Sequence, residues 1–425
     1  MNNELNKLAI NGGSPARSNP NPPMFPGGMN IDEREEQAVL EVLRSKRLFR
    51  YYGPGDTDSK VEAFEQAFAK KTGVKYTLGL NSCTNALGVA LMAAGINPGD
   101  EVIVPAYTFI ATPAAIVMAN AIPVIVEVDD SLTIDPEEVE RNITDKTKAI
   151  MPVHMRGAAC NMDAIMAIAK KHGLKVIEDA AQANGGKYNG RPVGSIGDAG
   201  CFSFQFHKII TAGEGGAITT NDEELIERAK SLHDTGANWR EDFTTDNKDD
   251  FPVFPGFNCR MSELTGAMLL VQLEKRDGFI KTMQSYAARI NEAISAHPNG
   301  AKVRHKNSSD GDVGVCSMFF VENRAKAGEI AAALEAEGIP AETFGGGGIP
   351  DWHIYSYWHH ILSKHGNNDA GYPFTLTDRV YSEDMCPKTT DMLRRAVHID
   401  VNPLLAQSDI DETVQGLHKV LDLLL

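Results

Sequence analysis

Lys208 lies between an aromatic–serine–aromatic run, Phe202-Ser-Phe-Gln-Phe, and a glycine-rich turn, Gly213-Glu-Gly-Gly. Asp179, 29 residues earlier (208 − 179), closes the apolar run Leu174-Lys-Val-Ile-Glu-Asp. An acid ending one strand and a lysine on the next is the pair that pyridoxal phosphate (PLP) chemistry needs. The amine forms an imine with the cofactor aldehyde, and the carboxylate keeps the ring nitrogen protonated so that the ring accepts electrons. Phe204, Phe206, Ile209 and Ile210 surround Lys208 with apolar side chains. Burial among them favours a neutral amine and argues against a surface lysine. A carboxylate at a buried strand end needs a partner to offset desolvation. A protonated ring nitrogen supplies one through a charge-assisted hydrogen bond; N-capping the next helix is the alternative for Asp179.

Other residues fit around this pair. Asn81-Ser82-Cys83-Thr84 follows a strand and opens a helix. A helix N-terminus offers free N–H groups and a positive dipole end, which suits a phosphate. A plain N-cap by Ser82 or Thr84 is the other reading; beside Lys208 and Asp179 the phosphate reading prevails. Ser203 is a second phosphate donor. Gln182, three residues after Asp179, either reaches the cofactor or caps a turn. If Gln205 to Ile209 is extended, His207 and Lys208 point to opposite sides and only one faces the cofactor. Glu178, on the face opposite Asp179, reads as structural. Asn258 and Arg260 precede a helix capped by Ser262, as contacts to phosphate or to a substrate carboxylate, or as loop hydrogen bonds. The run Asp351-Trp-His-Ile-Tyr-Ser-Tyr-Trp-His-His is dense in aromatics. Trp352, His353 and Tyr355 are its candidates for packing on a sugar-like substrate, with a domain-interface cluster as the alternative. Its histidines lack the spacing to acids that a metal site needs, so no metal is expected.

The elements that must hold these residues alternate. From Tyr76 onward, short apolar runs such as Glu101-Val-Ile-Val-Pro and Ile122-Pro-Val-Ile-Val are separated by helical segments. That pattern predicts an α/β fold with a mainly parallel sheet covered on both faces. Ligands on such sheets bind beyond the carboxyl ends of the strands, where Ser82, Asp179 and Lys208 gather. A chain of 425 residues is too long for one ordinary core. The expected division is an N-terminal arm over 1–30, a large cofactor-binding domain over 31–270 and a small C-terminal α/β domain over 271–425. The glycine run from Gly345 is a flexible connection within the latter. A net charge of −16 disfavours nucleic acids and anionic membranes as partners. No apolar run approaches the length of a membrane span, and the first residues lack a signal-peptide core. Six cysteines at long, irregular spacings read as reduced thiols, so a cytoplasmic protein is expected.

At these residues the chain resembles the sugar aminotransferases of the DegT/DnrJ/StrS family, within the aspartate-aminotransferase fold. The likeness runs from about residue 30 to the C-terminus. It is carried by NSCTNALGVALMAAGINPGDEVIVPAYTFIATPAAI, MPVHMRGAACNMDAI, HGLKVIEDAAQANGG, FSFQFHKIITAGEGGAITTND and GFNCRMSELTGAMLLVQLEKRD, in that order. The resemblance implies a PLP-dependent transferase of fold type I, with a seven-stranded, mainly parallel sheet and a small C-terminal domain. It makes Lys208 the imine-forming lysine and Asp179 the partner of the ring nitrogen. Gln182 falls where the family has His or Gln against the cofactor, and Phe109 at its ring-stacking aromatic. Ser82, Cys83, Thr84 and Ser203 match the phosphate cradle, with Ser-Cys-Thr standing where Ser-Gly-Thr is frequent. Asn258 matches a phosphate contact from the neighbouring subunit, which implies a homodimer with shared sites. The family's dehydratase branch has His at the position of Lys208, so transamination is implied here. The donor is then L-glutamate or L-glutamine, and the acceptor a keto or aldehyde carbon of a nucleotide sugar, octulosonate or cyclitol. DWHIYSYWHHI with CPKTTDMLRRAV resembles members that aminate octulosonates. MPVHM and FSFQ resemble the aminocyclitol and amino-hydroxybenzoate branches. A sugar dehydratase and a non-catalytic PLP-binding regulator are the alternatives.

Overall fold

The computed structural model describes residues 7–55, 58–237, 239, 254–309, 311–345, 350–366 and 368–425. The glycine run expected to be a flexible connection falls mostly on 346–349, outside the described residues.

Five strands come first: β1 (Tyr76–Leu80), β2 (Glu101–Pro105), β3 (Ile122–Val126), β4 (Thr147–Ile150) and β5 (Lys175–Asp179). After a short ribbon, β6 (Lys187–Tyr188) and β7 (Arg191–Pro192), follow β8 (Ala199–Ser203) and β9 (Gly216–Thr220). The main sheet has seven strands in the order β1-β9-β8-β5-β4-β2-β3. Only β9 runs against the others. Every residue of β2 and β3 is buried. Continuous apolar runs of this kind, rather than alternating ones, belong to strands covered on both faces. The remaining strands are β10 (Lys302–Val303), β11 (Cys316–Phe320), β12 (Ala341–Thr343) and β13 (Ala396–Asp400). They form an antiparallel sheet in the order β10-β11-β13-β12, which packs against the helices Arg324–Ala336 and Glu263–Ser295. The boundary expected at 270 lies inside the second of these, a single helix of 33 residues that joins the two parts.

Helices begin where side chains can satisfy their free N–H groups. Ser59, Ser82, Asn161, Asp222 and Ser262 each accept from a backbone N–H in the first turn. The helix Lys60–Thr72 lays Phe64 and Phe68 against β8 and its continuation. The Phe68 ring meets Phe202 at 4.9 Å and the Phe64 ring meets Phe204 at 5.3 Å, both edge-on. These rings bury the outer side of the strand whose last residue is Ser203. The N-terminal segment is anchored rather than loose: Arg17 pairs with Asp409 at 3.3 Å, and Glu337 accepts from the N–H groups of Ala9 and Ala16. It then runs to the main sheet, where Gly27 N–H donates to the Lys208 carbonyl at 3.3 Å.

Candidate active site

Asp179, the last residue of β5, is 4% exposed at the carboxyl edge of the sheet. One carboxylate oxygen accepts from Thr112 Oγ1 at 2.8 Å and the other from the Ala181 N–H at 3.0 Å. Thr112 in turn shares a 2.6 Å hydrogen bond with Thr108. No cation lies within ion-pairing distance of Asp179 among the described residues, and burial raises its pKa above the ordinary aspartate value. Its neighbour Glu178 faces the opposite side, as the alternation of a strand requires. Glu178 accepts from His154 Nε2 at 2.9 Å and from the N–H groups of Gly194, Ile196 and Gly197 at 2.7–2.8 Å. His154 Nδ1 accepts from the Cys160 N–H at 3.1 Å, so its proton sits on Nε2. One face of β5 therefore anchors the structure while the other presents a carboxylate to a cavity of about 680 Å³.

Lys208 lines the same cavity. It does not stand on an extended segment: the Lys208 N–H donates to the Gln205 carbonyl at 2.9 Å, closing a turn after β8. The expectation that His207 and Lys208 point apart fails for that reason, because alternation holds only in a strand. Both line the cavity, His207 exposed with its ring centre 4.8 Å from that of Phe25 in an edge-on contact. Burial lowers the Lys208 pKa below the ordinary lysine value, against the attraction of Asp179.

Ser82, Cys83, Thr84 and Ser203 line the cavity too. Ser82 caps the helix Cys83–Ala93, accepting from the Asn85 N–H at 3.2 Å. The segment is an N-cap, and its helix end also opens on the cavity, so the cap does not exclude a ligand there. Burial pushes the Cys83 thiol well above its usual pKa, so it stays neutral beside the site. Gly216 makes this approach possible, because a Cβ there would overlap the Ser82 carbonyl. Phe109 forms part of another wall, 43% exposed, with its ring 5.3 Å from that of His353. His353 Nδ1 lies 3.0 Å from Asp351 Oδ1, and burial lowers its pKa, leaving it neutral. Gln182 lines the cavity, with its Oε1 accepting from the Arg156 N–H at 3.0 Å.

Four candidates lie elsewhere. Tyr355 is fully buried, donating to the Glu383 carbonyl at 2.5 Å and accepting from the Cys386 N–H at 3.0 Å, so it serves the core. Trp352 is 40% exposed but outside the cavity lining; its carbonyl accepts from Trp358 Nε1 at 3.0 Å. Arg260 pairs with Asp234, stacks over Phe49 and does not line the cavity. Asn258 is exposed beside Asn85 and Met118, away from Lys208 within this chain. Conversely, Thr112, Arg156, Asp400, Met24 and Pro26 line the cavity without having been singled out in the sequence. Arg156 had a signal, as the only Lys, Arg, Asp or Glu between Met151 and Met162. Met24 and Pro26 had none, since an irregular arm carries no periodicity.

This donor set fits PLP. Asp179 is a buried carboxylate lacking a counter-ion, which a protonated ring nitrogen would supply. The helix start at Ser82–Thr84 and the Ser203 hydroxyl suit a phosphate, and Lys208 is an amine with a lowered pKa.

Comparison with known proteins agrees. Residues 29–359 match the DegT/DnrJ/EryC1/StrS aminotransferase family. The chain is 34% identical to the spore coat polysaccharide biosynthesis protein SpsC of Bacillus subtilis, over 92% of this chain and 95% of that one. It is 46% identical to the GDP-perosamine synthase of Caulobacter vibrioides, over 58% of this chain and 63% of that one. The solved structure of 3-amino-5-hydroxybenzoic acid synthase superposes with a TM-score of 0.77 at 27% identity, covering 95% of this chain and all of that one. The chain has the PLP-dependent fold type I and belongs to the DegT/DnrJ/EryC1/StrS aminotransferase family.

Proposed function

We propose that the cavity moves an amino group from L-glutamate or L-glutamine to a keto or aldehyde carbon of a sugar-like acceptor, with Lys208 as the catalytic amine. The observation that carries this reading is the pairing, in one cavity, of a half-buried lysine of lowered pKa with a buried carboxylate lacking a counter-ion. PLP, when bound, supplies a carbonyl that exchanges amino groups and a ring that draws electrons from the adjoining carbon. Asp179, oriented by Thr112 and the Ala181 N–H, would hold a proton on the ring nitrogen. Ser82, Cys83, Thr84 and Ser203 would hold the phosphate, and Phe109 and Gln182 would flank the ring. Lys208 Nζ is suited to take a proton and return it, because burial lowers its affinity for one. The neutral His353 would offer the acceptor a hydrogen-bonding edge.

Asn258 would complete the phosphate site of a partner subunit. Its exposure, with the neighbouring Phe257 50% exposed, supports a homodimer with shared sites. Six free cysteines support a reducing, cytoplasmic setting. Among the described residues no helix is long and apolar enough to cross a membrane.

The test is the visible spectrum of the PLP-loaded protein before and after excess L-glutamate or L-glutamine. The expected result is a band that shifts with one of them. Lys208→Ala should lose the band and cut turnover by at least about 100-fold. A wild-type band that neither amino acid shifts would refute transamination.

A further inference from the structure

We infer that Arg156 is the carboxylate-binding residue of this cavity and takes the carboxylate of the amino donor, an inference that rests on the transamination reading above. Arg156 and Lys208 are the only Lys or Arg side chains among the described residues that line the cavity. The donor's amino group must come to Lys208, and its carboxylate sits on the same carbon. Lys208 has to be neutral to act as a base, so the positive charge that meets the carboxylate comes from Arg156. Its planar fork matches a carboxylate with two parallel hydrogen bonds.

The local backbone is built to present this side chain. Arg156 has φ 51° and ψ 38°, a left-handed conformation that arginine seldom adopts. Such a conformation persists only where its surroundings hold it, and it concentrates at functional sites. Here Gln182 holds the Arg156 N–H at 3.0 Å, and Gly157 follows with φ 77° where a Cβ would strike Val313. The turn brings the guanidinium beside the Tyr107 hydroxyl. Arg156 Nε is buried without a hydrogen-bond partner. No carboxylate oxygen lies within 4.0 Å of the guanidinium among the described residues. The nearby acids are engaged elsewhere: Asp400 contacts His398 at 3.4 Å and Asp351 contacts His353 at 3.0 Å. A buried cation with an open donor is costly, and an incoming carboxylate offsets that cost.

Glutarate, a dicarboxylate without an amino group, probes the site apart from the reaction. It should be titrated calorimetrically into PLP-loaded wild type and Arg156→Asn, whose new residue tolerates a left-handed backbone. The expected result is binding by wild type, weakened about 10- to 100-fold in R156N, with the PLP band unchanged. The L-glutamate concentration that half-shifts the band should rise by the same factor. If R156N fails to fold, Arg156→Gln serves the same comparison. Equal glutarate affinity in variant and wild type, or no binding by wild type, would overturn the inference. A wild type that binds glutarate but whose band ignores both amino donors instead refutes the transamination reading and leaves the carboxylate site standing.

Discussion

Asp179 carries an unpaired charge in a buried position, and that has two opposite consequences. In the cofactor-free protein the ionised carboxylate is poorly solvated, so its pKa is raised and it destabilises the fold. With PLP bound the same charge would hold the ring proton. Asp179→Asn should therefore leave the melting temperature of the cofactor-free protein unchanged or raise it, since the amide oxygen can still accept from the Ala181 N–H while its NH2 donates to the Thr112 hydroxyl. Turnover of the PLP-loaded variant should fall about 100- to 1000-fold, the usual loss of one preorganised electrostatic contact. A melting temperature well below wild type would mean that Asp179 is structural. Both Asp179 and Lys208 were legible as residues, because each stands in an apolar run where a charge needs a reason. Tyr355 shows the limit: its type suited a binding wall, but its hydroxyl is consumed by Glu383 and Cys386 in the core.

At the scale of the element, β5 is held from behind. Burial alone would raise the Glu178 pKa, but His154 and the N–H groups of Gly197 and Gly194 bring it below the ordinary glutamate value of 4.5. A carboxylate with a lowered folded pKa adds stability that is fully present above its unfolded pKa and is lost as pH falls through the folded one. The unfolding free energy should accordingly decline as pH drops below about 4.5. Glu178→Ala should cost about 3–5 kcal/mol, because it strands three N–H groups and a histidine. Denaturant titrations of both proteins at pH 7 and pH 4 would check this; a variant as stable as wild type at pH 7 would remove Glu178 from the anchor. The strand ends and the cap at Ser82 could be read from sequence, since apolar runs and caps are local. The turn at Gln205–Lys208 could not, because nothing in its residue types separates a turn from a continued strand.

At the scale of the whole molecule, Asn258 bears on which chain completes the site. Asn258 lies away from Lys208 in its own subunit, which fits a role across a twofold interface. Asn258→Ala and Lys208→Ala proteins should each be weak or inactive alone. Mixed after unfolding and refolding together, they should regain activity, because one site of each mixed dimer has both residues intact. No recovery would place Asn258 outside the neighbour's site. The N-terminal arm belongs to this scale as well: Arg17 and Glu337 tie it to the small sheet's side, and Gly27 ties it to Lys208.

The amino-acid sequence by itself determined the alternation of strands and helices, the acid at one strand end, the capped helix start and the lysine set in an apolar run. Each depends on periodicity or propensity within a few residues, and the sheet topology then follows from how such strands can be covered. Only the tertiary structure decided that Arg156 shares the cavity with Lys208, that Met24 and Pro26 help to enclose it, and that Arg260 and Tyr355 do not. These outcomes depend on which distant segments exclude water from one another, and on one left-handed residue whose conformation is set by Gln182 and Gly157 rather than by its own preference.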